Sequence, residues 1–156
     1  QLGYQAESGP WRNFYLTGAQ DLLKKAVPYT SQLINDGVLS QMDMGTLLDY
    51  CAIQLNGEKA GGKEAVININ FTDTKEKVML MLKNGVLNHR LGSQDKKADL
   101  TMEIAKMDFV KLFFGRTDLQ TLRKTNKVKT TGDTKAIDMI RSACEPADPN
   151  FKIVLP

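Results

Sequence analysis

The dipeptide Asn84-Gly85 constrains this chain more than any other feature, because it lies between the apolar run 78–82 and the segment 86–91. Both central residues of a type I′ turn need φ > 0, which asparagine and glycine tolerate. The pair therefore predicts a tight hairpin joining two strands. Residues 78–82 are continuously apolar, the pattern of a central strand covered on both faces. Just upstream, Ala65, Ile67, Ile69 and Phe71 alternate with Val66, Asn68 and Asn70, so one face is apolar and the other half polar. Downstream, Ala98, Leu100, Met102 and Ile104 share one face of a fourth strand.

On either side of this strand run the period becomes helical. Met44, Leu47, Leu48, Cys51 and Leu55 follow the i, i+3, i+4, i+7, i+11 spacing, with Asp43 placed to cap the helix start. After the strands, Met107, Val110 and Phe114 share a helix face, Leu112 and Phe113 add bulk beside it, and Gly115 supplies a stop. A short helix over 118–124, a brief strand over 128–131 and a last helix complete the order. Asp133 is the expected cap of that helix, and Ala136, Ile137, Ile140 and Cys144 face inward. Strands in succession, followed by helices, predict an α+β fold: an antiparallel or mixed sheet of about five strands with helices on one face. Ahead of it, residues 1–26 read as two helices, one stopping near Glu7 and another starting near Pro10, where proline suits a first turn. Val27-Pro28-Tyr29 ends the second and marks a boundary, and Pro146 and Pro149 break the final helix before an apolar tail at 151–155.

Composition narrows the chemistry. With one histidine, His89, and two cysteines, Cys51 and Cys144, the chain cannot build a three-histidine zinc site or a pair of CxxC knuckles by itself. His89 shares a strand face with Leu87 and Leu91, and no nucleophile or carboxylate stands at catalytic spacing from it, so it reads as a structural or solvent-edge residue. The glycine-rich stretch 57–62 lacks both phosphate-loop spacings and precedes a strand instead of following one, which makes it turn chemistry. Acid pairs such as Asp73 with Glu76 occur only at surface-like positions, and the two cysteines sit in helical apolar patterns as small hydrophobes. The net charge of +3 is mild, and the basic residues Arg123, Lys124, Lys127 and Lys129 are flanked by Asp118 and Asp133, so no nucleic-acid partner is expected. No apolar run approaches the ~20 residues needed to span a bilayer. The chain begins with Gln1 in mid-pattern, without an initiator methionine or secretory leader, and is expected to be part of something longer.

Two apolar surpluses remain. The segment 107–114 carries more large apolar residues than one helix face buries, and the seven methionines suit either an irregular core or an adaptable ligand surface. From periodicity, core packing and an apolar ligand groove both stay open. The candidate groove residues are Met79, Met81, Met102, Met107, Val110, Phe113 and Phe114. The N-terminal stretch adds Tyr4, Trp11, Arg12, Phe14 and Tyr15, dense aromatics that would be exposed on an isolated segment and so mark an interface with another domain or subunit.

Residues 3–19, GYQAESGPWRNFYLTGA, resemble the signature that closes the central dimerisation region of alkyl sulfatases of the metallo-β-lactamase superfamily. Leu47-Leu48-Asp49-Tyr50, Ala98-Asp99-Leu100-Thr101 and Thr131-Gly132-Asp133 resemble motifs of their sterol-carrier-protein-like C-terminal domain. The resemblance implies residues 1–27 as the helical end of a dimerisation region and 28–156 as that C-terminal domain. It further implies a parent enzyme hydrolysing long-chain alkyl sulfate esters, as in detergent degradation, with zinc held in an upstream catalytic domain and no catalytic or metal-binding residue on this chain. The implied partners are that domain, a second subunit in a homodimer, and an aliphatic sulfate or fatty ligand; the implied compartment is periplasmic or secreted. Arg12 is a further candidate for contacting sulfate, since a guanidinium suits tetrahedral anions. The alternative is a stand-alone lipid-binding or carrier module of the sterol-carrier type.

Overall fold

The computed structural model describes residues 1–23 and 36–145, which belong to two compact units. The boundary expected at Pro28 and the tail at 151–155 lie outside the described residues. In the first unit, α1 (Leu2–Gln5) and α2 (Gly9–Leu23) are separated as the proline predicts, with Pro10 in the first turn of α2. Gly3 lets them approach: a Cβ there would stand 2.9 Å from the Leu16 side chain.

The second unit contains α3 (Asp36–Gln41), α4 (Met44–Ala52), α5 (Gly57–Ala60), β1 (Ala65–Phe71), β2 (Lys77–Lys83), β3 (Val86–Leu91), β4 (Leu100–Ile104), α6 (Lys106–Phe113), α7 (Leu119–Lys124), β5 (Val128–Gly132) and α8 (Lys135–Ala143). The five strands form one sheet in the order β3-β2-β1-β4-β5. Asn84 and Gly85 have φ of 53° and 73°, as a primed turn requires, and the β2–β3 ladder runs from Lys83↔Val86 to Val78↔Leu91. β4 does not continue an antiparallel meander. It crosses beyond β2 and pairs with β1 in parallel, from Ile67↔Leu100 to Phe71↔Ile104, so the sheet is mixed. Sequence pattern alone does not show this, because alternation records which face a residue takes and not which neighbour its strand finds.

Register puts Ile67, Ile69, Phe71, Val78, Leu80, Leu82, Leu100, Met102 and Ile104 on one face, all at most 2% exposed. The helices bury this face with Leu47, Leu48, Cys51, Phe109, Val110, Leu112, Ile137 and Ile140 in a continuous core. At ~1.5–3 kcal/mol for each large side chain taken out of water, this layer is the main source of stability. The opposite face carries Val66, Asn68, Asn70, Met79 and Met81. The β3–β4 connection crosses it, held by reciprocal bonds between Asn68 and the Asp95 backbone (2.7 and 3.0 Å) and by Gln94 donating to Asn70 (2.6 Å). Met79, opposite Asn68 in the ladder, is buried on this face, so β2 is covered on both faces at its centre.

Several helix ends follow the sequence. The Asp43 carboxylate accepts from the Thr46 N–H at 3.0 Å, and Asp118 accepts from the Thr121 N–H at 2.7 Å. Others differ. Thr134, not Asp133, is the N-cap of α8, and the Asp133 carboxylate instead accepts from the Lys135 N–H at 2.9 Å. The helix expected to reach Leu55 stops at Ala52, because Leu55 forms a β-bridge with Cys144. α3 was not legible at all, and the 57–62 stretch contains the one-turn α5, capped by Asn56.

Gly132 has φ of +106°, and a Cβ there would lie 2.3 Å from the Asp99 carbonyl oxygen. Gly132→Ala should therefore destabilise the fold by more than the ~1–3 kcal/mol of a strained backbone alone, through the added clash. Phe109→Ala, at a fully buried position, should cost ~3–5 kcal/mol. Urea unfolding midpoints at unchanged slope measure both.

Candidate functional site

The sequence nominated two regions, and they lie in different units. On α2, Trp11, Phe14 and Tyr15 are 68%, 58% and 46% exposed, and with Pro10 they line an open, largely apolar groove of about 440 Å³. Residues 11, 14 and 15 share a helix face at i, i+3, i+4 spacing, which gathers the aromatics into one ridge. Tyr4 on α1 is 79% exposed. Arg12 points elsewhere: its guanidinium donates to the Ala6 carbonyl at 3.0 Å, satisfying the chain just past the end of α1. The guanidinium proposed for sulfate thus already has a backbone partner.

The nominated groove residues fall on both faces of the sheet. Met102 lies on the helix-covered face of the sheet, whereas Met79 and Met81 lie on the opposite face. Met81 borders an open groove of about 470 Å³ beside the hairpin that also involves Val66, Val86 and Lys83. On α6, Val110 and Phe113 are buried, and Met107 and Phe114 are half-buried. The aromatic surplus there is a chain of ring contacts. Phe71 meets Phe109 edge-on at 5.6 Å, Phe109 meets Phe113 at 5.8 Å, Phe113 meets Phe114 at 5.4 Å, and Phe114 meets Tyr50 of α4 at 5.6 Å. α3 packs on α6 and brings Leu39, 1% exposed, into the same cluster.

Sequence reasoning passed over the charged residues that hold α3 in place. Lys106, the first residue of α6, is 8% exposed, and its ammonium donates to the carbonyls of Ser40, at 3.1 Å, and Met42. Its backbone N–H donates to both carboxylate oxygens of Asp73 at 3.1 Å. At the other end of α6, the Arg116 guanidinium donates to the Asp36 carboxylate. A lysine and an arginine bracketing an apolar helix look in sequence like an ordinary solvated surface, so no local signal marked them.

His89 faces one carboxylate, Asp49, at 3.7 Å. Among the described residues, no group of three or more histidine, cysteine, aspartate and glutamate side chains is placed to hold a metal ion. Both cysteines are free. Burial pushes the Cys51 thiol up to about 12 from its usual value of 9.0, and burial likewise pushes Cys144 up to about 11.

The chain aligns over its whole length with two alkylsulfatases of Pseudomonas sp. It is 38% identical to a linear primary-alkylsulfatase and 36% identical to an (R)-specific secondary-alkylsulfatase. A solved structure of a stereoselective inverting sec-alkylsulfatase from Pseudomonas sp. aligns with a TM-score of 0.76 at 34% identity, covering 95% of this chain and 23% of that one. The chain likewise spans 23% of each of the two sequence relatives. The class defined by fold and relatives is thus a domain of alkylsulfatases. Residues 32–156 match the family model described as alkyl sulfatase C-terminal, and the chain belongs to that family.

Because both native thiol pKa values are raised, the folded chain keeps its thiols protonated at pH 8. Alkylation by iodoacetamide should be at least tenfold slower than in urea. The linkage runs toward alkaline loss: the contribution to stability is complete below pH 9.0 and disappears as pH rises toward about 11 to 12. Cys51→Ala should flatten that part of the profile.

Proposed function

We propose that this chain is the non-catalytic C-terminal portion of a zinc-dependent alkyl sulfatase, an enzyme that hydrolyses long-chain alkyl sulfate esters. The observation carrying the reading is the whole-chain match, at 38% identity, to a primary alkylsulfatase of which the chain spans only 23%. The catalytic groups and the zinc then belong to the remaining length of such an enzyme. Residues 1–27 act as the helical end of a dimerisation region, where the ridge of Trp11, Phe14 and Tyr15 is covered by a second subunit. The exposure of these three side chains supports that role, since large aromatics in an open groove are typical anchors of an interface.

Residues 28–156 form the domain that offers the substrate's aliphatic chain an apolar surface. The continuous apolar layer around α6, with Met107, Val110, Phe113 and Phe114, supports this. Each methylene removed from water contributes ~0.8 kcal/mol, so even a short stretch of chain gains useful affinity there.

Two measurements test the reading. The isolated chain, supplied with zinc, should release no sulfate from decyl sulfate, and measurable turnover would overturn the division of labour. In the enzyme that carries it, Trp11→Ala combined with Phe14→Ala should weaken the dimer by at least ~tenfold in sedimentation equilibrium, as loss of aromatic anchors does. Unchanged association would remove the interface role.

A further inference from the structure

α3 is tethered unequally at its two ends. At its C-terminal end the ammonium of Lys106, almost fully buried, holds the carbonyls of Ser40 and Met42. At its N-terminal end, among the described residues, the Asp36–Arg116 ion pair holds it, with side chains 51% and 47% exposed. Between these ends Leu39 inserts into the apolar cluster that includes Phe109, Val110 and Phe113. A carboxylate on a guanidinium and an aliphatic side chain in an apolar seat are the two halves of an anionic amphiphile. We propose that α3 occupies an amphiphile site as an internal stand-in: Asp36 takes the place of the anionic head on Arg116, and Leu39 takes the place of the alkyl chain along α6. This inference rests on the aliphatic-chain role proposed above and names the residues that would carry it.

The asymmetry sets the direction of opening. Freeing Lys106 would leave a buried ammonium without acceptors, a heavy cost. Exposed ion pairs, by contrast, are worth little and yield to a competing anion. α3 therefore swings about the Lys106 end and unlatches at Asp36. From residue 106 to residue 116 is ~15 Å of helix and cap at ~1.5 Å per residue, room for an alkyl chain of about ten carbons laid along α6. A guanidinium offers parallel N–H donors that match two oxygens of a sulfate as well as those of a carboxylate. Opening the latch breaks no covalent bond and moves no proton.

The test uses the 156-residue chain with decyl sulfate and decanol as probes, at concentrations where far-ultraviolet circular dichroism is unchanged. Asp36→Asn removes the competing carboxylate and keeps Arg116. It should tighten decyl sulfate binding ~two- to fivefold and raise amide hydrogen exchange in residues 36–40. Arg116→Gln removes the head-group contact and also frees the latch, so it should shift the ratio of decyl sulfate to decanol affinity against the sulfate by ~threefold or more, and Leu39→Ala should tighten both probes. Lys106→Met should lower stability without altering the preference for sulfate over alcohol. Should Asp36→Asn loosen α3 in exchange while decyl sulfate affinity stays at the wild-type value, the stand-in is overturned and the aliphatic-chain reading survives. Absence of saturable binding of either probe to the wild type and every variant overturns both.

Discussion

The second unit depends on how Asp99 joins three strands at one point. Its backbone N–H donates to the Val66 carbonyl at 2.9 Å, and its carboxylate accepts from the Val66 N–H at 2.7 Å. Its carbonyl accepts from the Asp133 N–H at 2.8 Å, which draws in the end of β5. A single residue thereby sets the parallel register of β4 against β1 and the antiparallel approach of β5 to β4. Backbone this close leaves no room for a Cβ at residue 132, hence the glycine. Ala98-Asp99-Leu100 and Thr131-Gly132-Asp133, far apart in sequence, are thus two sides of one junction.

Much of this architecture was readable because it depends on local rules. The hairpin at Asn84-Gly85 follows from backbone sterics, and the inward faces of β1 and β4 follow from strict alternation. The separation of α1 from α2 follows from what Pro10 can and cannot join. What escaped depends on partners distant in sequence. The parallel β1–β4 pairing is settled by Asp99 and Val66, 33 positions apart. α3 has six residues, too few to show a period, and is defined by Lys106 and Arg116, up to 80 positions away. The methionines show the same limit: alternation separates Met79 and Met81 from one another's flanking residues, yet only the register shows that Met102 lies on the other side of the sheet.

In sequence, the apolar surplus at 107–114 leaves core packing and a ligand surface both open, and in the structure most of its side chains join the core of the second unit. Tyr50, Leu39 and the neighbouring phenylalanines pack against α6 from within the unit, while Met107 and Phe114 stay half-buried. Where an apolar layer is packed at native density, a guest enters by displacing a side chain or a segment. The least costly displacement is of an element that contributes few buried groups and is tethered by exposed charges. α4 and α8 contribute four buried residues each, whereas α3 contributes Leu39 alone. On the proposed reading, an aliphatic chain that uses the α6 face starts at α3, and within α3 at its exposed N-terminal end, because the C-terminal carbonyls satisfy an ammonium that water cannot easily reach.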